Sequence, residues 1–130
     1  MMEPAKDCID VAVIVRDNKA SINFYENILG LKFVEEIPAT IGTLYRFRFG
    51  NSDIKLIKTN TLPPKGPIGN DSQLGFRYIT FVIKNLSSLC IELRDKGVEF
   101  FRAETEVRPG LRMAMVKDPD GNIVEFVQRK

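Results

Sequence analysis

Residues 115–127, Met-Val-Lys-Asp-Pro-Asp-Gly-Asn-Ile-Val-Glu-Phe-Val, decide the fold. Residues 118–122 read as a turn. Pro119 presets φ at an early turn position, and Gly121 takes φ > 0 without steric cost. Apolar and β-branched residues flank the turn, so the stretch reads as a β-hairpin. Its second arm alternates: Val124 and Phe126 point one way, while Ile123, Glu125 and Val127 point the other. Glu125 is thereby a carboxylate among apolar neighbours. Such an acid is either a paired structural charge or part of a site.

Working outward, residues 111–117 form the first arm, 108–110 a turn and 98–101 a short strand. Before them, Leu86, Leu89, Cys90 and Leu93 fall at helical spacing. Asn85 or a following serine caps that helix and Gly97 ends it. Residues 77–83 read as a strand, with Ile79, Phe81 and Ile83 on one face and Tyr78, Thr80 and Val82 on the other.

The same order occurs earlier in the chain. Residues 9–15 are a β-branched strand, with Val11, Val13 and Val15 facing away from Asp10, Ala12 and Ile14. Asp17 or Asn18 caps a helix over residues 20–29, whose apolar face is Ile22, Tyr25 and Leu29 with Phe24 and Ile28. Gly30 stops it. Strands follow at 31–36, 43–49 and 54–57, and alternation makes Tyr45, Phe47 and Phe49 core residues. Residues 10–17 superpose on 78–85 without a gap, and Gly50-Asn51 matches Gly121-Asn122. Each half is strand–helix–strand–strand–strand. The expected fold class is α+β, two βαβββ modules with curved mixed sheets around a cleft. Module one spans about 8–59, a linker about 60–75 and module two about 76–128, within one domain. The linker holds Pro63, Pro64 and Pro67, and reads either as a lid or as a stiff spacer.

Composition narrows the function. The net charge is +2 and no basic block interleaves with aromatics, so nucleic acid is not an expected partner. No apolar run approaches the ~20 residues that span a bilayer, and residues 1–7 carry no signal-like apolar segment. A cytoplasmic protein is expected. The chain has no His and two isolated cysteines, Cys8 and Cys90, expected as reduced thiols. Ser-His-Asp and Cys-His catalysis are excluded, as is any imidazole-liganded metal.

Five stretches carry a family resemblance: Asp-Val-Ala-Val-Ile-Val-Arg-Asp at 10–17, Ser-Ile-Asn-Phe-Tyr at 21–25, Ile-Leu-Gly-Leu-Lys-Phe at 28–33, Phe-Arg-Phe-Gly-Asn at 47–51, and the hairpin at 118–126. With the internal repeat, the chain resembles the vicinal oxygen chelate superfamily of glyoxalase I, bleomycin-resistance proteins and extradiol dioxygenases. The resemblance implies paired βαβββ modules and, at this length, a homodimer. It implies a site at four strand positions, which here hold Asp10, Lys55, Tyr78 and Glu125. In metal-dependent members these are His, Glu or Gln. Only Glu125 keeps a usual residue. Lys55 brings three donors and no acceptor, and its charge repels a divalent ion, so no cofactor is expected and a divalent metal is disfavoured.

The leading expectation is a cleft that binds a small polar or anionic organic ligand. Lys55 would bind an anionic or carbonyl group, Glu125 would act as base or acceptor, and Tyr78 would orient or donate. Arg46, Arg48 and Arg112 would add anion affinity if they face the cleft; otherwise they are solvated edge charges. One of Phe100 and Phe101 faces the cleft, since neighbours on a strand point oppositely. The alternatives are a lyase, isomerase or glyoxalase-type enzyme with Glu125 as general base, and an antibiotic-sequestering resistance protein. A structural ion-pair network of Asp10, Lys55, Tyr78 and Glu125 is the non-functional alternative.

Overall fold

The computed structural model describes residues 1–66 and 74–130. Residues 67–73 of the linker, read above as a lid or a stiff spacer, lie outside the described residues. The chain divides into two compact units, Met1–Pro64 and Lys65–Lys130, and each is a βαβββ module. The α+β architecture is therefore the one the repeat implies.

In unit one the order is β1 (Val11–Ile14), α1 (Asn18–Ile22), β2 (Lys32–Ala39), β3 (Gly42–Phe49) and β4 (Ser52–Thr59). The sheet order is β1-β4-β3-β2. β1 runs parallel to β4, and the other neighbours are antiparallel. Parallel pairing requires a crossover, and the helical segment between β1 and β2 supplies it. Asp17 starts that segment, because its carboxylate accepts from the backbone N–H of Lys19 at 3.0 Å and of Ala20 at 3.4 Å.

α1 continues without a break into a π-helical segment, Asn23–Ile28. Its wider turn is visible in the Leu29 N–H bond to the Phe24 carbonyl, five residues back. This alters the expected apolar face. Phe24 and Tyr25 are buried side by side, with ring centroids 4.9 Å apart, whereas Ile22 and Leu29 are only half-buried. A 3.6-residue period cannot anticipate a 4.4-residue turn. Phe47, Ile54 and Leu56 complete the core of this unit. Phe49, expected in the core, is 37% exposed at the end of β3. Asn60 fastens the β2–β3 hairpin: its backbone N–H reaches the Ile41 carbonyl and its side chain donates to the Thr40 carbonyl.

In unit two the order is β5 (Tyr78–Val82), α2 (Leu86–Asp95), β6 (Phe100–Arg108), β7 (Leu111–Lys117) and β8 (Ile123–Arg129). The sheet order is β5-β8-β7-β6, with β5 parallel to β8. Asn85 stands at the N-cap of α2, but its side chain makes no cap bond. Gln128 of β8 replaces it, accepting from the Leu86 backbone N–H at 2.8 Å. A cap from a residue 42 positions away leaves no local signature in the sequence. Phe81, Ala114, Val116, Val124 and Phe126 are buried on the helix side, where Leu86, Cys90 and Leu93 meet them. Each large apolar side chain so buried contributes roughly 1.5–3 kcal/mol. Burial also pushes the Cys90 thiol up, which disfavours its thiolate.

β6 is longer than the expected strand at 98–101 and pairs with β7 through three register irregularities. Its residues are mostly polar, so no apolar alternation marks it, and pairing to β7 is what makes it a strand.

Candidate functional site

In each unit one face of the sheet carries the helix and the other does not. On the helix-free face of unit one, Ala12, Lys55, Arg46 and Glu35 are register partners in one row across β1, β4, β3 and β2. Asp53 and Arg48 form the adjacent row. Arg48 donates to Asp53 through Nε at 3.1 Å and Nη2 at 3.0 Å. Arg46 lies 3.2 Å from Glu35 and 3.8 Å from Asp53. The two expected arginines do face this side, but neighbouring acids, Asp53 and Glu35, hold them. Lys55 stands between, half-buried, with no carboxylate of its own unit within 4 Å among the described residues. Asp10 sits just before β1. It accepts from Lys6 at 2.7 Å and from the Asp53 backbone N–H at 2.8 Å, and Lys6 holds its carboxyl below the usual carboxylate range.

On the helix-free face of unit two, Thr80, Glu125, Met115 and Arg102 make the corresponding row across β5, β8, β7 and β6. Thr80 Oγ1 donates to Glu125 Oε1 at 2.8 Å. Met113, Met115, Ile123 and Val127 form a cluster of buried apolar residues on this face, with Leu111 against it. Above it lies a pocket of about 450 Å³, lined by Tyr78, Glu125, Arg77, Arg102, Arg129 and Phe101 among others. That volume falls in the range of small-molecule sites, as does an apolar floor with few polar groups. Arg77 covers the Tyr78 ring, 5.4 Å from its centroid. Among the described residues neither Arg102 nor Arg129 has an ion-pair partner. Of the two phenylalanines, Phe101 lines the pocket, and Phe100 turns to the other side beneath Arg94.

Arg112 is a correction. It lies an odd number of residues from Met113 and Met115, so the two-residue period puts it on the helix side. There its Nη2 and Nε donate to Glu104 at 2.8 and 3.0 Å, and Ser87 of α2 donates to the same oxygen at 2.7 Å. It belongs to a bridge between helix and sheet, away from Glu125. Where unit one has Arg46, unit two has Met115.

That bridge makes acid stability testable. Ser87, then Arg112, hold the Glu104 carboxyl below its ordinary value of 4.5. A depressed folded-state value contributes stability above the unfolded value and loses it as pH falls through the folded one. Urea midpoints at pH 7 and pH 3 should therefore differ more for the parent protein than for Glu104→Gln. Equal differences would remove Glu104 from the acid limb.

The four positions that the resemblance singles out hold Asp10, Lys55, Tyr78 and Glu125: two carboxylates, an amine and a phenol. Asp10 is engaged by Lys6 and a backbone N–H, and Tyr78 offers only a phenol oxygen. Among the described residues no three Cys, Asp or Glu side chains gather as ligands.

A family model described as the glyoxalase/bleomycin resistance protein/dioxygenase superfamily matches residues 9–126. The chain belongs to that superfamily. It is 31% identical over 121 residues to a probable lactoylglutathione lyase of Synechocystis, covering 88% of each chain. It is 29% identical to an uncharacterized protein of Bacillus subtilis, YwbC, over 96% of this chain and 99% of that one. Among solved structures, TnmS3, an antibiotic binding protein from Streptomyces, matches with a TM-score of 0.75 at 21% identity over 98% of this chain and 100% of that one. At that identity the match speaks for the fold alone.

Arg77, Arg102, Arg129, Met113 and Met115 line the pocket in addition to the residues expected from the sequence. The signal for the methionines was present, because they alternate in phase with Glu125 across a readable hairpin. Arg102 had none, since its strand was read as ending at residue 101.

Proposed function

We propose that this protein binds a small anionic organic molecule in the unit-two pocket, without a divalent metal, as a cytoplasmic homodimer. One observation carries the reading. Three guanidiniums, of Arg77, Arg102 and Arg129, rim an apolar floor beside a single carboxylate, Glu125. Guanidinium forks match carboxylate and phosphate geometry. Lys55 has no metal to repel in this reading and is a second anion-binding group. An acidic pocket would favour cationic drugs, and this one has the opposite charge.

A catalytic reading also has an observation behind it. Thr80 engages one oxygen of Glu125 and leaves the other to accept a proton, and a similar protein bears the name of a lyase. That reading makes Glu125 the general base acting on the bound anion.

The test is calorimetric titration with aryl and alkyl carboxylates, with zinc, nickel and manganese as separate titrants. Acid binding should weaken about 10- to 100-fold in the Arg102→Ala/Arg129→Ala double variant, the worth of losing charge-assisted bonds. Tight stoichiometric metal binding that Glu125→Ala abolishes would overturn the metal-free reading. Sedimentation of the same samples should give the mass of two chains.

A further inference from the structure

We infer that the ligand is bifunctional: an organic acid that also carries a hydroxyl or amine donor, the two joined by an apolar spacer. The inference rests on the anion-binding reading above and deepens it.

The argument is one of register. Glu125, Met115 and Arg102 are partners on three successive strands, β8, β7 and β6. Adjacent strands lie about 4.8 Å apart, so the Glu125 and Arg102 backbones are roughly 10 Å apart with Met115 between them. Opposite charges thus stand at the two ends of an apolar step. No ion pair joins them among the described residues. All three line the same pocket.

The protein satisfies only part of this row. Thr80 donates to Oε1 of Glu125, and Oε2 has no protein donor among the described residues. A ligand body that covers Met113 and Met115 displaces the water that Glu125 and Arg102 otherwise use. A charge so desolvated must be paired or hydrogen-bonded, or the binding it accompanies is weakened. A simple fatty or aryl acid satisfies Arg102 and strands Glu125. A simple alcohol or amine does the reverse. A molecule with an anion at one end, a donor at the other and carbon between satisfies both. The floor favours that middle section, because methionine thioethers are polarizable and adapt to irregular or aromatic shapes.

The experiment compares matched acids on the parent protein by calorimetry. One set is phenylacetate, 4-methoxyphenylacetate and 4-hydroxyphenylacetate. The other is hexanoate against 6-hydroxyhexanoate and 6-aminohexanoate. In at least one set the donor-bearing acid should bind about tenfold tighter or more than its relatives, the worth of a hydrogen bond to a charged group. The preference should vanish in Glu125→Ala, and the simple acid should bind that variant more tightly than it binds the parent, because no carboxylate is left stranded. Measurable but equal binding within both sets overturns the bifunctional ligand and leaves the anion-binding reading standing. Binding of none of these acids overturns both. A preference that survives Glu125→Ala removes Glu125 as the acceptor and overturns the inference. The parent-protein comparison decides even if the variant does not fold.

Discussion

Asp118→Ala should cost about 3 kcal/mol or more, read as a lower urea midpoint followed by far-ultraviolet circular dichroism. Asp118 is 5% exposed, in the turn between β7 and β8. Its carboxylate accepts from the Asp120 and Asn122 backbone N–H groups and from the Asn122 side chain, each at 2.9 Å. The Asp118 backbone adds a bond in each direction, to Gly121 and Asn122. Removing the carboxylate leaves three donors of a part-buried turn without their acceptor, and each donor that water does not reach costs about 1–3 kcal/mol. Asp118→Asn keeps one acceptor oxygen but turns an amide toward the Asn122 amide, so it should recover only part of the loss. A cost below about 1 kcal/mol would mean that water takes the place of the carboxylate. The turn also sets the register that pairs Met115 with Glu125, so acid binding should fall with stability.

Gly42→Ala should be as damaging, about 3 kcal/mol or more. Gly42 opens β3 and pairs with Thr59 on one side and Ala39 on the other. A Cβ built there runs into the Lys58 carbonyl oxygen and stands 2.8 Å from Thr59 Cα. These are backbone atoms of the central pairing and cannot swing aside. Overpacking of this kind costs about 1–3 kcal/mol, and the φ of 152° adds strain for an L side chain. Gly50→Ala is the control. Its φ is 57°, but nothing lies within 4 Å of the added Cβ, so only the left-handed penalty of about 1–2 kcal/mol applies. Equal losses in the two variants would show that conformation, not contact, is what requires glycine at residue 42.

Much of this architecture was legible because it is locally encoded. The hairpin turn is made by residues four apart, and the side-chain period of two assigns Glu125, Ile123 and Val127 to one face without reference to any partner strand. The repeat of the module could be read because the same local code appears twice. The helical face expected from Ile22, Tyr25 and Leu29 with Phe24 and Ile28 narrows to Phe24 and Tyr25, because the π-helical turn after Ile22 departs from the 3.6-residue period on which the expectation rests. β6 was cut short, and Arg102 missed with it, because a polar edge strand shows no alternation.

The sequence by itself determined the two βαβββ modules, the family, and a carboxylate at residue 125 on the helix-free face. The modules and the facing of residue 125 follow from turn chemistry and from periodicity, which act over a few residues; the family follows from the resemblance of its motifs. Only the tertiary structure decided which side chains stand beside that carboxylate. It seats Thr80 against Glu125 from 45 positions away, carries Arg102 into the same row, and turns Arg112 to Glu104 on the other side. Strand register sets these neighbours, and register is a property of two segments at once, fixed by whichever pairing buries both faces best.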